Sequence, residues 1–382
     1  MHDVLIVGGG PVGLFLGALL LQSGVSVRIL EQRTERSNHS RAIGIHPPAL
    51  AALDRVGVAG QLVREGVHVT RGLTRSGGVP VVGLDFDGVS PRYPFVLTLA
   101  QVRTEEILQA RVLALDPSAL VRGMCVDNVY DDGASVLLLA SPTEGVTAGV
   151  QAPYRGRLLI GADGARSTVR REIGIPVHGP DYPDTYVMGD FPDTGDDGAT
   201  AVLYLESGGI VESFPLPGGL RRWVVHTDSL QSDSSAESLA GLILERTGVL
   251  VDPAANSMLS AFGVRARLAK SMVQGRTALI GDAAHEISPI GGQGMNLGWL
   301  DAAALAPIII DALQGIPTGA RLARFESSRR RAVRVAMAQA WLNMALGRPL
   351  PPTVLALRHA GLRWAFRAQW PQKLVARRFT MQ

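Results

Sequence analysis

The stretch from Asp3 to Leu21 constrains the fold more than any other, because DVLIV runs into Gly8, Gly9, Gly10 and Pro11 and then into a second apolar run. Val4 to Leu21 carries no polar side chain and is long enough to cross a bilayer. Three successive glycines and a proline inside a lipid-facing helix would strand backbone groups without partners, so a membrane span is rejected. The stretch also lacks the basic leader and small-residue cleavage site of a signal peptide. A buried parallel strand, a tight turn, a helix from Pro11 to Ser23 and a second strand from Val25 to Leu30 account for it as a βαβ unit. Its turn reads Gly8-x-Gly10-x-x-Gly13, where Gly10 lets backbone N–H groups approach a pyrophosphate at the helix N-terminus. Glu31 ends the second strand about 20 residues on, where a carboxylate accepts hydrogen bonds from ribose hydroxyls and repels a phosphorylated ribose. FAD or NAD therefore suits this turn better than NADP.

A second motif separates those two. Thr277 to Ile280 reads as a buried strand ending in Gly281-Asp282, followed by Ala283, Ala284 and His285, then Pro289, Gly291, Gly292, Gln293, Gly294, Met295 and Asn296. A carboxylate at a strand end binds a polyhydroxylated chain such as the ribityl linker of a flavin. The Gly291–Asn296 loop opens another helix, whose free N–H groups suit a flavin pyrimidine edge that becomes anionic on reduction. NAD has no such edge. Pro289, with a fixed φ and no N–H, stiffens the loop. His285, placed just inside a helix start, is expected to be structural. A third motif, Gly161-Ala162-Asp163-Gly164-Ala165-Arg166-Ser167, again joins a strand to a helix, and Asp163 either caps that helix or joins the cofactor site.

The rest of the chain sorts into an interleaved α/β fold: a Rossmann-like FAD-binding domain (1–66, 101–175, 271–330), a mostly antiparallel β-sheet substrate domain (67–100, 176–270) and a helical C-terminal tail (331–382). Residues 67–100 form a hairpin turning at Gly77-Gly78, and the larger insert holds one clear helix, near Ala236 to Thr247. A helix from about Ala49 follows Pro47 and Pro48, and another spans Gln101 to Leu115. The lone Cys125 allows no internal disulfide and no Cys-rich zinc site, which fits a reducing cytoplasm and no metal. Arg329 to Gln382 holds ten Arg, one Lys and no acid, leaving 26 basic against 34 acidic residues before it. No aromatic-interleaved basic motif accompanies that tail, so nucleic acid is not an expected partner. Arg358, Arg363 and Arg367 recur among Leu355, Leu362, Trp364 and Phe366. Packing of the apolar side on the acidic body is expected over a membrane-surface helix.

In this order and spacing, GGGPVG, Glu31, Arg41 in SRA, GADGARS and GDAAH…PIGGQGMN resemble the single-component aromatic flavoprotein monooxygenases with the para-hydroxybenzoate hydroxylase fold. The resemblance covers about residues 1 to 330. It implies FAD binding by Gly8, Gly10, Gly13, Glu31, Arg41, Gln101, Asp282, Gly294, Met295 and Asn296, with Pro11, Arg33, Pro289 and Gly292 in the same set. Asp163 and Gly164 match a motif associated with both FAD and NAD(P)H. Gln101 matches a glutamine near the flavin, although Ala100 stands where relatives often carry proline. The thioredoxin-like domain of many larger relatives is not expected here, and the W-x-W-x-I-P motif of flavin-dependent halogenases does not occur, so halogenation is disfavoured.

The implied reaction has NAD(P)H reduce FAD, O2 add at flavin C4a, and the hydroperoxide give one oxygen to an aromatic or polycyclic ring, with water kept out by an apolar sheet. No catalytic base is assigned. His46, His226, Tyr186 and Tyr204 are candidates by residue type, each expected to be packed or solvent-facing. Arg221 and Arg222 are expected at a solvated hairpin end rather than on an acidic substrate group. The same FAD motifs also suit a reductase of an apolar isoprenoid substrate, or a non-catalytic flavin-bearing protein that sequesters an apolar ligand.

Overall fold

His2–Val7, with Val4, Leu5 and Ile6 fully buried, runs through the middle of a parallel sheet, as an unbroken apolar strand requires. It pairs with Ala152–Gly161 on one edge and Val27–Glu31 on the other; Thr277–Leu279 and Leu120–Arg122 extend the parallel set outward. A hairpin, Met124–Asp131 and Val136–Pro142, adds antiparallel strands beside Ala152–Gly161. Its turn is closed by the Asp132 carboxylate, which accepts from the backbone N–H groups of Ala134 and Ser135. The computed structural model describes residues 1–35, 41–143, 151–367 and 369–382, so Ser40 of the SRA segment lies outside the described residues.

Ten described helices accompany the sheets: α1 (Pro11–Leu21), α2 (Pro47–Asp54), α3 (Ala59–Glu65), α4 (Gln101–Leu115), α5 (Thr168–Glu172), α6 (Ala236–Thr247), α7 (Gly294–Leu313), α8 (Gly319–Gly347), α9 (Pro352–Ala365) and α10 (Gln369–Phe379). Both α2 and α1 begin on proline, where a missing N–H costs nothing. α6 starts at a Ser235–Ser238 capping box and stops at Gly248, which adopts φ +73°. α7 is long and apolar enough to cross a membrane, but 56% of its most apolar window is buried, and Trp299, Ala302 and Leu305 pack in the main core. It is a core helix.

A second sheet of seven strands runs Met258–Arg265, Asp181–Pro192, Leu220–Thr227, Gly209–Leu216, Thr200–Glu206, Arg71–Ser76, Val79–Asp85. All pairs are antiparallel except Thr200–Glu206 against Arg71–Ser76, so the early hairpin joins the later insert along one parallel seam. Strand alternation gives the sheet two apolar faces. Val187, Val211, Trp223 and Val225 turn toward Leu239 and Ile243 of α6. Tyr186, Met188, Ile210, Val224 and Phe262 turn the other way, toward Ile290 and Met344 of α8.

The basic tail is less separate than its charge suggests. Leu355 is buried, Leu362 packs beside the Met344 cluster, and Ala376 and Phe379 of α10 pack with Val69, Phe86 and Val96. Trp364 is the exception within the expected apolar side, with 72% of its surface exposed.

Candidate active site

In the parallel sheet the carboxyl ends of three strands lie side by side, the position at which open α/β sheets bind ligands. Ala162 N–H donates to Val7 O (2.8 Å) and Ile280 N–H to Gly161 O (3.0 Å), which sets the three glycine-containing turns in register. Gly8, at φ +108°, abuts the Ala162 carbonyl so closely that a Cβ would lie 2.3 Å from its oxygen. Trp299 Nε1 of α7 donates to Pro11 O of α1 (3.0 Å), and a Cβ on Gly298 would lie 2.5 Å from Val12 Cγ2. The Arg170 guanidinium, from α5, donates to Ala283 O (2.8 Å) and Ala165 O (2.9 Å). Motifs some 150 and 280 residues apart in sequence therefore meet, and the N-termini of α1 and α7 converge.

They meet around one cavity of about 1330 Å³. That exceeds the roughly 300–1,000 Å³ of an ordinary small-molecule pocket and leaves room for a dinucleotide-sized molecule and a second ligand. Gly8, Gly10, Pro11, Glu31, Arg33 and Arg41 line it from the first motif region; Gln101, Asp163, Asp282, Pro289, Gly292, Gly294 and Met295 also line it. Gly13 and Asn296 do not. Gly13 lies beneath the turn, where a Cβ would stand 2.0 Å from Gly8 O. Asn296 is fully buried and acts as a clamp: its Oδ1 accepts from His46 N–H (2.8 Å), and its Nδ2 donates to Gly44 O (2.9 Å) and Gly292 O (2.7 Å).

Three observations fit an FAD. A Cβ on Gly10 would meet nothing within 4 Å, so the turn faces open space where a pyrophosphate can pass. Glu31 accepts from Gly9 N–H (2.7 Å) and from Arg33 Nε (2.7 Å); burial pushes its carboxyl up, but these partners outweigh burial and hold it below its ordinary range, keeping it an anionic acceptor. Asp282 lines the cavity, and the protein packed around it raises its carboxyl above the ordinary range. Its turn is held from behind. Asp301, fully buried, accepts from Gly281 N–H (3.1 Å), His285 Nε2 (2.6 Å) and Arg329 Nε (2.6 Å).

Several expectations need correction or refinement. His285 lies on a short strand, His285–Glu286, paired with Arg267–Ala269, and not inside a helix start, because Gly281–Ala283 makes a single 3-10 turn and α7 begins only at Gly294. It is bound to Asp301 in the core. Ser167 is the N-cap of α5, accepting from Arg170 N–H (3.0 Å), while Asp163 accepts from Val169 N–H (3.1 Å) and still lines the cavity. Arg221 and Arg222 are buried, not at a solvated hairpin end. Arg222 grips Asp190 through two 2.7 Å bonds and donates to Arg41 O (2.6 Å); Arg221 pairs with Asp193. Asp190 on the same sheet and Asp193 just past the end of its strand neutralise them.

Of the candidate bases, Tyr204 faces the α6 side and accepts from Arg75, while Tyr186 and His226 share the opposite face with cavity-lining residues without lining the cavity themselves, His226 being 3.7 Å from Asp184. His46 alone lines the cavity, and burial pushes its ring down to about 4, leaving a weak base. The residue passed over was Glu212, a carboxylate on the cavity-lining face of the second sheet. The alternation Ile210, Glu212, Phe214 already carried that signal, since an acid two residues from two large apolar side chains shares their face.

A family model described as an FAD binding domain matches residues 1–340. The 6-methylpretetramide 4-monooxygenase of Streptomyces rimosus is 33% identical over 322 residues, which are 82% of this chain and 56% of the relative. The chain belongs to the FAD-dependent single-component aromatic monooxygenase family. Within it, the para-nitrophenol 4-monooxygenase of Pseudomonas sp. (strain WBC-3) is 30% identical over 87% of this chain and 83% of its own length. The crystal structure of p-nitrophenol 4-monooxygenase PnpA from Pseudomonas putida DLL-E4 superposes with a TM-score of 0.88 at 27% identity, covering 99% of this chain and 97% of that one. This is the para-hydroxybenzoate hydroxylase type of fold. The chain spans 56% to 66% of the length of the Streptomyces rimosus relative and of three others that it matches.

Proposed function

We propose that the protein hydroxylates an aromatic or polycyclic small molecule with FAD, NAD(P)H and O2. One observation carries the reading: the cavity that gathers the FAD motifs is walled on its far side by an apolar sheet face and by side chains of α8, α9 and α10. Bound FAD supplies the passage of electrons from nicotinamide to O2 and of one oxygen atom to an electron-rich ring. The chain supplies binding, orientation and dryness. Gly8, Gly10 and the start of α1 receive the pyrophosphate, Glu31 the ribose and Asp282 the ribityl chain. The start of α7, from Gly294, turns its free N–H groups toward the flavin, with Gly292, Met295 and Pro289 around it. Leu203, Phe214 and Phe262 leave the substrate space little to hold water.

The test is turnover under ¹⁸O2 with a panel of phenols and polycyclic aromatics. NAD(P)H oxidation stimulated by a ring substrate, with one ¹⁸O in the product, is the expected result. Stimulated oxidation without label in any product removes the hydroxylase reading. A second prediction concerns the roof. Phe379 of α10 stacks on Phe86 with ring centres 5.7 Å apart and meets His46 edge-on at 5.9 Å. Phe379→Ala is expected to admit water and raise hydrogen peroxide formed per NAD(P)H oxidised severalfold, with FAD content unchanged; unchanged coupling would show that α10 does not seal the site.

A further inference from the structure

Glu212 lies on strand Gly209–Leu216 between Ile210 and Phe214, and all three line the cavity. Its cross-strand neighbours are Leu203 and Val224, and Met188 lies beyond Val224. The residue is 6% exposed, and no described residue gives it a hydrogen bond or an ion pair. The Tyr186 hydroxyl, buried without a hydrogen-bond partner, lies near enough to feel its charge but forms no bond to it. On the strand with Val224, the Arg222 guanidinium is occupied by Asp190 and Arg41 O. On the next strand the Tyr186 ring lies against Phe262 and His226, and His226 faces Asp184. Strand Thr200–Glu206 brings only Ala201, Leu203 and Leu205 to this face, and from the helices above Arg378 reaches the cavity. Burial alone pushes the Glu212 carboxyl up to about 7. A carboxylate kept in an apolar wall without a partner weakens the fold relative to leucine or glutamine, so its use lies in what enters the cavity.

We propose that Glu212 is the polar anchor of the substrate, accepting a hydrogen bond from a ring hydroxyl on an otherwise apolar aromatic system and turning away aromatic carboxylates. The aromatic character of that substrate rests on the hydroxylase reading above; the anchoring rests on the wall itself. An anionic oxygen in an apolar surround repels a second anion and attracts a neutral O–H donor. Drawing the hydroxyl proton toward Glu212 also enriches the ring in electrons, which favours attack on oxygen.

The experiment uses the FAD-loaded protein and equilibrium dialysis at pH 8 with three probes: 2-naphthol, naphthalene and 6-hydroxy-2-naphthoate. Wild type is expected to favour 2-naphthol over each of the other two by roughly 10–100-fold, the range of a hydrogen bond to a charged group. Glu212→Leu removes the preference over naphthalene and narrows that over the carboxylate, whose burial in an apolar wall still costs, and Glu212→Gln narrows the discrimination against the carboxylate while keeping part of the first. Stability supplies an independent readout. A carboxyl whose folded value is raised from 4.5 to about 7 contributes most below its ordinary value and loses that contribution as pH rises through 7. Glu212→Gln is therefore expected to melt above wild type at pH 8, by a margin that shrinks below pH 5. Equal probe ratios in all three proteins, or no binding of any probe to wild type, overturns the proposal; so does a fall in Tm at pH 8 with unchanged ratios, which marks a structural glutamate. Loss of the ratios in the variants without any ¹⁸O insertion by wild type retains the anchor and removes the hydroxylase reading, whereas insertion with unchanged ratios does the reverse.

Discussion

Replacing Gly8 with alanine is expected to strip the protein of FAD. The new Cβ would stand 2.3 Å from the Ala162 oxygen and 2.9 Å from Asp163 Cα, both backbone atoms that no rotamer change can move. The backbone at φ +108° adds a further penalty for any residue with a side chain. Relief requires the first and third motif turns to part, at a cost of about 3 kcal/mol or more. Separated turns no longer present Gly10 and Asp163 to one cavity, so flavin per mole of purified protein should drop at least about tenfold, the equivalent of 1.4 kcal/mol. Gly10→Ala provides the contrast. Its backbone, at φ −79° and ψ −176°, accepts alanine, and its Cβ touches nothing in the protein. That variant should melt like wild type yet bind FAD more weakly, because the methyl occupies pyrophosphate space. Full flavin content in Gly8→Ala would refute the placement of the nucleotide between these turns.

Asp301→Ala is the second large effect, and it falls on stability. The carboxylate is fully buried and binds Gly281 N–H, His285 and Arg329. Removing one member of a buried charged network costs about 3–5 kcal/mol, because the partners are left desolvated and unpaired. Burial pushes the Asp301 carboxyl up, but His285 and Arg329 outweigh it and hold it below its ordinary range. A carboxyl depressed on folding stabilises above its unfolded pKa and loses that contribution as pH falls toward the folded value. Urea unfolding should therefore show the full wild-type advantage at pH 7 and a smaller one in acid. A difference below about 1 kcal/mol at pH 7 would show the network to be slack. Flavin retention should fall as well, since the Gly281-Asp282 turn loses its backing.

Local signals were enough for much of this architecture. Proline starts, the Gln101–Leu115 helix, the Ala236–Thr247 helix and the hairpin at Gly77-Gly78 follow from turn chemistry and periodicity, which act over a few residues. The members of the three motifs that line one cavity stand out in the sequence because glycine and a carboxylate recur at fixed places in strand–turn–helix units. Contacts between distant segments were not readable. Nothing near Arg222 announces that Asp190 will neutralise it 32 residues away, and a double arginine at a turn reads as a wet surface. His285 is structural as its type suggests, but its partner Asp301, on a helix that starts nine residues later, and its place on a strand are not local signals. Packing of the tail through Leu355 and Leu362 follows from its apolar side, but nothing local shows that Leu362, Phe366 and Phe379 line the cavity. Glu212 is legible only through its neighbours, since Ile210 and Phe214 two residues away on either side share its face of the strand.

The Asn296 clamp reaches back 250 residues to His46 and 252 to Gly44, and that separation has a consequence for biosynthesis. At roughly 5–20 residues per second, about 15–60 s of translation divide the emergence of the glycine turn from that of its far partner. A nascent chain halted near Thr277 would own a dinucleotide signature and nowhere to hold the flavin. Loading with the vitamin-derived ligand is thus a late event on or after the ribosome, and riboflavin starvation should leave full-length apoprotein rather than arrested fragments.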